Sequence, residues 1–133
     1  MNNKVAFVNK NQFKELSASN EASLKIIIDG KEIHSWSDYW NVISEAFSFP
    51  ELPSYMKPDY HSYYDLMTDL SWIKSKNIVL IIKNSDKFLA DDLKLRNIII
   101  KDFKDNLLPF WEEEVLKTVV EGEARSFCVY FVD

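Results

Sequence analysis

Three short runs of apolar residues along the chain predict β-strands. Leu24–Ile28 and Asn77–Ile82 are nearly continuous apolar runs, whereas Ser126–Val132 alternates. The first run is followed at once by Asp29-Gly30, a pair typical of a tight turn. We therefore expect two buried strands and one terminal strand.

A helical pattern follows the first strand. Ser35 and Asp38 have the spacing of a capping box, and Ser37 is an alternative N-cap. Apolar residues then recur on one face of a helix that ends at Phe49-Pro50. They are Tyr39, Trp40, Ile43, Ala46 and Phe47.

The segment Asp59–Trp72 predicts a second helix with two different faces. At about 100° per residue, one side carries the residues that we expect to face the core: Tyr63, Leu66, Met67 and Leu70. The opposite side should face solvent or a partner. It carries His61, Tyr64, Asp65 and Thr68, with Asp69 at its edge.

Residues Phe88–Val120 have a mostly helical pattern, with an interruption near Asn106–Pro109. The run Ile98–Ile100 is also compatible with a strand, although we favour the helix. Strands that alternate with helices in this order predict an α/β layer with parallel neighbouring strands. We expect residues 21–133 to form this domain and residues 1–20 to be an N-terminal extension.

The loop between the two predicted helices is rich in proline. Pro50, Pro53 and Pro58 fix φ at three positions and lower the entropy of the free loop. A stiff loop suits a preorganised binding surface, and it equally suits a plain connector. The pattern alone leaves both interpretations open.

Composition and charge narrow the class of protein. A chain of 133 residues with 47% hydrophobic residues can form one domain with a sizeable core. The net charge of −5 disfavours direct contact with nucleic acid, because phosphates repel an acidic surface. It is compatible with a basic protein partner, and also with plain solubility. The single cysteine, Cys128, and the lack of a membrane-spanning stretch lead us to expect the cytoplasm.

Motifs for catalysis and for metal binding are absent from the sequence. The two histidines, His34 and His61, have no cysteine at zinc-ligand spacing. There is no Walker loop, nucleophile elbow or dinucleotide-binding glycine motif. The acidic run Glu112–Glu114 is more typical of a solvated helix face than of an acid–base pair. We therefore expect no enzymatic activity, no cofactor and no metal.

Several segments occur in an order and spacing typical of one family. They join a strand, an Asp-Gly turn, a Ser-x-Ser-Asp helix start, a proline loop, an aromatic helix with a central aspartate and a closing strand. In chain order these segments are Ile28–Asp38, Phe49-Pro50, Pro53-x-Tyr55, Asp59–Thr68 and Phe127–Val132. From Leu24 onwards the sequence resembles the barstar family. The resemblance implies a barstar-like α/β fold, with a small three-stranded parallel sheet packed with about four helices.

The resemblance also implies a binding surface. Barstar-like proteins block the active site of a ribonuclease with the second helix and the loop before it, and the aspartate matching Asp65 stands in for a substrate phosphate. Together with the exposed helix face, this gives the candidate partner-binding residues Tyr55, Asp59, His61, Tyr64, Asp65, Thr68 and Asp69. A late acidic residue also contacts the enzyme in the family, and Glu112 and Glu113 are both candidates for it.

The function implied by the resemblance is that of an inhibitor or immunity protein directed at a basic bacterial ribonuclease toxin. The alternative is a barstar-like module that binds a non-ribonuclease toxin or another protein. Two features depart from the family pattern. The turn before the second helix is Lys57-Pro58-Asp59, and His61 replaces an acidic residue one turn before the key aspartate.

Overall fold

The three predicted strands form as expected, and a fourth strand joins them. The computed structural model describes residues 2–19 and 23–133. The sheet is parallel throughout, with the order β1-β4-β3-β2. The strands are β1 Val5–Val8, β2 Leu24–Asp29, β3 Asn77–Lys83 and β4 Ser126–Val132.

The prediction of three strands was wrong because of the short segment Val5–Val8. Its residues pair with Val129–Val132 of β4. Without this partner, β4 would be an edge strand with a row of unpaired backbone groups. Four apolar residues are too few to predict a strand by themselves, but they suffice when a neighbouring strand is already in place.

The residues before β2 pack on the sheet where the structure describes them. The side-chain amide of Asn3 donates to Leu108 O at 3.1 Å and to Arg125 O at 3.0 Å, and its oxygen accepts from Phe127 N at 2.9 Å. Phe13, in the helix after β1, packs against a small cluster of buried sheet residues that includes Val79 and Ile81. The predicted boundary between extension and domain, at residues 20 and 21, lies outside the described residues.

The described chain contains five α-helices: α1 Lys10–Ser19, α2 Trp36–Ala46, α3 Tyr60–Met67, α4 Leu93–Asp102 and α5 Val115–Thr118. A 3-10 turn, Gly30–Glu32, follows β2. Ser35 caps α2 as predicted, since its hydroxyl accepts from Asp38 N at 3.1 Å. None of the helices in residues 2–19 and 23–133 has both the length and the apolar character needed to cross a membrane.

The second helix, α3, is shorter than the predicted Asp59–Trp72. It ends at Met67, and the hydroxyl of Thr68 donates back to Tyr64 O at 2.7 Å. Leu70 adopts a φ of 49°, in the left-handed region, which a right-handed helix cannot continue through. The predicted inner face is confirmed, because four residues are buried: Tyr63, Leu66, Met67 and Leu70.

The long helical segment also starts later than predicted. Leu89 has a φ of 50°, and the helix begins only at Leu93, where Asp92 accepts from Leu95 N at 3.1 Å. The predicted interruption is not a break. Two wide π-helical turns, Phe103–Leu107 and Phe110–Glu114, continue the helix on either side of Pro109. A wider turn accommodates a proline, whose ring would clash with the carbonyl of the preceding turn in an α-helix.

Buried clusters lie on both faces of the central strands. Alternate residues of β3 belong to different clusters, because successive side chains point to opposite faces. Ile78, Leu80 and Ile82 belong to the large core with α2, α3 and the long helical segment. Val79 and Ile81 belong to a smaller cluster, against which Phe13 of α1 packs. The nearly continuous apolar sequence of β3 follows from this double burial.

Leu66 tests the packing of α3. Its side chain is 9% exposed, so Leu66→Ala should lower the free energy of unfolding by about 2–5 kcal/mol through lost burial and a new cavity. Leu116, which is 59% exposed in α5, provides a matched control whose change to alanine should stay within about 0.5 kcal/mol. Denaturant melts of the two variants measure both values. Equal, small losses would show that α3 packs through a different face.

Candidate protein-binding site

The proline-rich loop is fixed to α2 where it enters α3. The indole N–H of Trp36, in the first turn of α2, donates to Pro58 O at 2.8 Å. The Trp36 ring also packs edge-on against Tyr63 of α3, with 5.6 Å between ring centroids. The end of the loop and the start of α3 are therefore held together by one tryptophan.

Asp59 forms the N-cap of α3. Its Oδ1 accepts from Ser62 N at 2.9 Å. This hydrogen bond is the main reason why the pKa of the Asp59 carboxyl lies below its usual value. The ionised carboxylate also lies at the positive end of the helix dipole. Part of its hydrogen-bonding capacity is thus used to hold the helix and is not free for a partner.

An open hollow of about 450 Å³ lies between the loop and α3. We call it the loop hollow, and it is lined by Tyr55, Met56, Lys57, Asp59, His61, Ser62 and Asp65. Tyr55 is 84% exposed, so almost its whole ring is available to a partner. Four of the predicted partner-binding residues, Tyr55, Asp59, His61 and Asp65, therefore line one hollow.

Asp65 and His61 form an exposed pair, one helical turn apart. The distance from His61 Nε2 to Asp65 Oδ2 is 3.6 Å. The pair is an ion pair only when the imidazole is protonated. The charge that this surface presents therefore depends on the protonation of His61.

Tyr64 does not line the loop hollow and is half-buried. Its ring is 6.4 Å from that of Tyr60, measured between centroids. Burial raises the pKa of the Tyr64 hydroxyl most, and the negative charge of Glu114 raises it further. Tyr64 therefore stays a neutral aromatic side chain at physiological pH.

Thr68 and Asp69 lie beyond the last residue of α3. The Thr68 hydroxyl donates its hydrogen to the helix carbonyl, so it can offer a partner only an acceptor. Both residues line a second hollow of about 470 Å³, together with Arg125. The seven predicted residues are therefore not one continuous cluster.

The late acidic residues have different environments. A carboxylate oxygen of Glu112 accepts from Asn3 N at 2.9 Å, whereas Glu113 is exposed. The charge of Glu114, which the sequence analysis did not single out, acts on Tyr64 of α3.

One polar cluster between α3 and α4 was missed by the sequence analysis. The Tyr60 hydroxyl donates to Asp102 Oδ1, and the Asn106 side chain donates to the same oxygen at 2.8 Å. Asp102 is only 4% exposed. The four-residue spacing of Asp102 and Asn106 in a helical segment was a local signal, but it does not indicate Tyr60 as the third member.

The loop, α3 and their scaffold lie within the part of the chain that a known family shares. The family model described as "Barstar (barnase inhibitor)" matches residues 24–129. The chain belongs to the barstar family. The description names an inhibitor of barnase, and members of the barstar family are inhibitors and not enzymes. The match begins at β2, so β1 and α1 lie outside it. No curated protein matches the chain.

The cap at Asp59 makes the stability of this barstar-family protein depend on pH. A lowered folded-state pKa means that the contribution of Asp59 is fully present above its ordinary value of 3.8 and is lost as the pH falls through the folded-state value. Asp59→Ala should lower Tm at neutral pH. Its Tm deficit should shrink in acid, as thermal melts from about pH 3 to 7 would show.

Asp59→Asn is the matched control, because an asparagine oxygen can also accept at an N-cap. It should retain most of the neutral-pH stability. A Tm deficit of Asp59→Ala that does not change with pH would contradict the role of the ionised carboxylate.

Proposed function

We propose that the chain inhibits a bacterial ribonuclease by covering its active site with α3 and the preceding loop. The observation that carries this proposal is the exposed Asp65 carboxylate beside the loop hollow, in a chain that belongs to a family of barnase inhibitors. The net charge of −5 favours a basic enzyme as the partner.

Asp65 has the chemistry required of a phosphate mimic. A carboxylate accepts charge-assisted hydrogen bonds from Arg and Lys, which are the groups that hold a phosphate in an enzyme. Its charge also accelerates the encounter with a basic surface. The exposed ring of Tyr55 on the same hollow can cover an adjacent cation of the enzyme.

The rigidity of the surface supports the same function. The proline loop, the Asp59 cap and the Trp36–Pro58 hydrogen bond fix the geometry before binding. A surface that is already ordered loses less entropy when the complex forms.

A second candidate function is the binding of a non-ribonuclease toxin domain. It is favoured by the presence of Lys57 and His61 in the loop hollow, which make this surface less acidic than the family pattern. Inhibition assays with barnase, and with purified toxin domains of other activities, separate the two candidates. Inhibition of a non-ribonuclease toxin without inhibition of any ribonuclease would favour the second.

Asp65→Ala tests the proposed contact. The residue is exposed, so stability should change by no more than about 0.5 kcal/mol. Binding to the ribonuclease should weaken by about 2–5 kcal/mol, because cations of the enzyme are left desolvated and unpaired. Surface plasmon resonance at two salt concentrations measures the loss.

Asp69→Ala is the matched control for this experiment, since Asp69 lines the second hollow. It should mainly lower the association rate and its salt dependence. If the Asp65→Ala variant and the unmodified protein bind the ribonuclease equally well, the binding surface lies elsewhere.

His61 should make binding depend on pH. Protonated His61 lies 3.6 Å from Asp65 and weakens the negative electrostatic field of the loop hollow. Asp59 also contributes to that field, and Lys57 reduces it. Affinity should therefore be lower when His61 is protonated than when it is neutral. His61→Gln should show a weaker pH dependence in titrations against the same ribonuclease.

His34→Gln controls for other titrating groups, including those of the enzyme. His34 lies 3.9 Å from Asp91 and does not line the loop hollow. This variant should keep the full pH dependence. A pH profile of His61→Gln that overlays that of the unmodified protein would disprove the effect of His61.

A further inference from the structure

One oxygen of the buried Asp102 carboxylate accepts two hydrogen bonds, and the other has no hydrogen-bond partner among the described residues. Its Oδ1 accepts from the Tyr60 hydroxyl and from the Asn106 side chain. Its Oδ2 is buried and makes no hydrogen bond among the described residues. A buried polar atom without a partner costs free energy, so stability alone does not explain an aspartate at this position.

Tyr60 connects this carboxylate to the proposed binding surface. It is the first residue of α3, between the cap Asp59 and the hollow residue His61. Burial raises the pKa of the Tyr60 hydroxyl, and the hydrogen bond to Asp102 raises it further. The hydroxyl therefore remains a donor at physiological pH. The hydrogen bond therefore ties the first turn of α3 to the last residue of α4.

The opposite end of α3 is held in a different way. The indole N–H of Trp111 donates to Met67 O at 2.8 Å, and Arg125 donates to Leu70 O at 2.9 Å. These bonds act at the C-terminal end of α3. Trp36 and the buried Tyr63 hold the first turn on the side of α2, and the hydrogen bond from Tyr60 to Asp102 holds it on the side of α4. The first turn is the part of α3 that carries one wall of the loop hollow.

We propose that Tyr60 and Asp102 are positioning residues that fix the first turn of α3 before a partner binds. Asn106 holds the carboxylate in place for this bond. The consequence for binding rests on the proposed function of the surface. A helix of eight residues is too short to be stable alone, so its first turn needs an external anchor. Without this anchor, the side of the turn that faces α4 loses a contact, and the freedom it gains must be given up when a complex forms.

The free protein provides the first test, because it requires no partner. Amide hydrogen exchange should become about five- to tenfold faster in the first turn of α3 in Tyr60→Phe and Asp102→Ala, as expected for the loss of one hydrogen bond. Tyr63 N, which donates to Asp59 O at 3.0 Å, is the reporter. The amides of β3 and β4 should keep their exchange rates.

Two variants serve as controls. Asp102→Asn keeps an acceptor oxygen for Tyr60, so exchange in α3 should stay close to that of the unmodified protein. Tyr130→Phe removes another tyrosine hydroxyl, which belongs to the smaller cluster on the other face of the sheet. It should leave exchange in α3 unchanged.

The second test measures binding to barnase as the probe. Tyr60→Phe and Asp102→Ala should each raise the dissociation rate about five- to tenfold with little change in the association rate. The double variant should be no worse than the weaker-binding single variant, because both changes break the same bond. Asp102→Asn should bind like the unmodified protein.

The outcomes separate this inference from the proposed function. Unchanged exchange in α3, or faster exchange throughout the sheet, would overturn the positioning role. Faster exchange in α3 with an unchanged dissociation rate would overturn its importance for binding. If the unmodified protein does not bind barnase or any other ribonuclease, the proposed function fails, whereas the exchange data still decide whether Tyr60 and Asp102 position α3.

Discussion

The two central strands, β3 and β4, are apolar on both faces, and the rest of the fold follows from the need to cover them. Parallel strands of this kind are stable only between two layers. The helices α2 and α3 and the long helical segment cover Ile78, Leu80 and Ile82 on one face. On the other face, Phe13 of α1 packs against the cluster of Val79 and Ile81. The β1–α1 unit lies outside the family match, yet it contributes to this second layer.

The orientation of α3 is a consequence of the same packing. Tyr63 and Met67 are completely buried, and this fixes the rotation of the helix about its axis. The helical period then places His61 and Asp65 on the outer side. The position of the exposed His61–Asp65 pair is therefore set by the core beneath it, and a change in that core would rotate this surface away from a partner.

The elements that depend on local pattern were predictable from the sequence. The apolar runs predicted β2, β3 and β4 to within a residue, although not β1, and the 3.6-residue period predicted the inner face of α3. The end of α3 was not predictable, because it depends on the left-handed backbone of Leu70. Nothing in the type of this residue signals that conformation.

Long-range contacts account for most of the other differences between the predicted and the observed structure. The break expected near Pro109 became a continuous helix whose carbonyls find partners outside it: Leu108 O accepts from the Asn3 side chain, and Trp111 O accepts from Arg125 N. The helical period brought His61 and Asp65 to the loop hollow. It could not place Thr68 and Asp69, since they follow the end of the helix. The hydrogen bond between Tyr60 and Asp102 joins residues 42 positions apart, so no local sequence pattern indicates it.

The pairing of β1 with β4 has a consequence for the order of events during synthesis. Val5 pairs with Val129, so β1 cannot take its place in the sheet until β4 has been synthesised. β4 also separates β1 from β3, and the sheet cannot close until residues 126–132 have left the ribosome. Pairings between such distant segments form slowly, and apolar strands stay exposed until they do. In the proposed role, the supply of active inhibitor thus lags behind translation by the time that this closure takes.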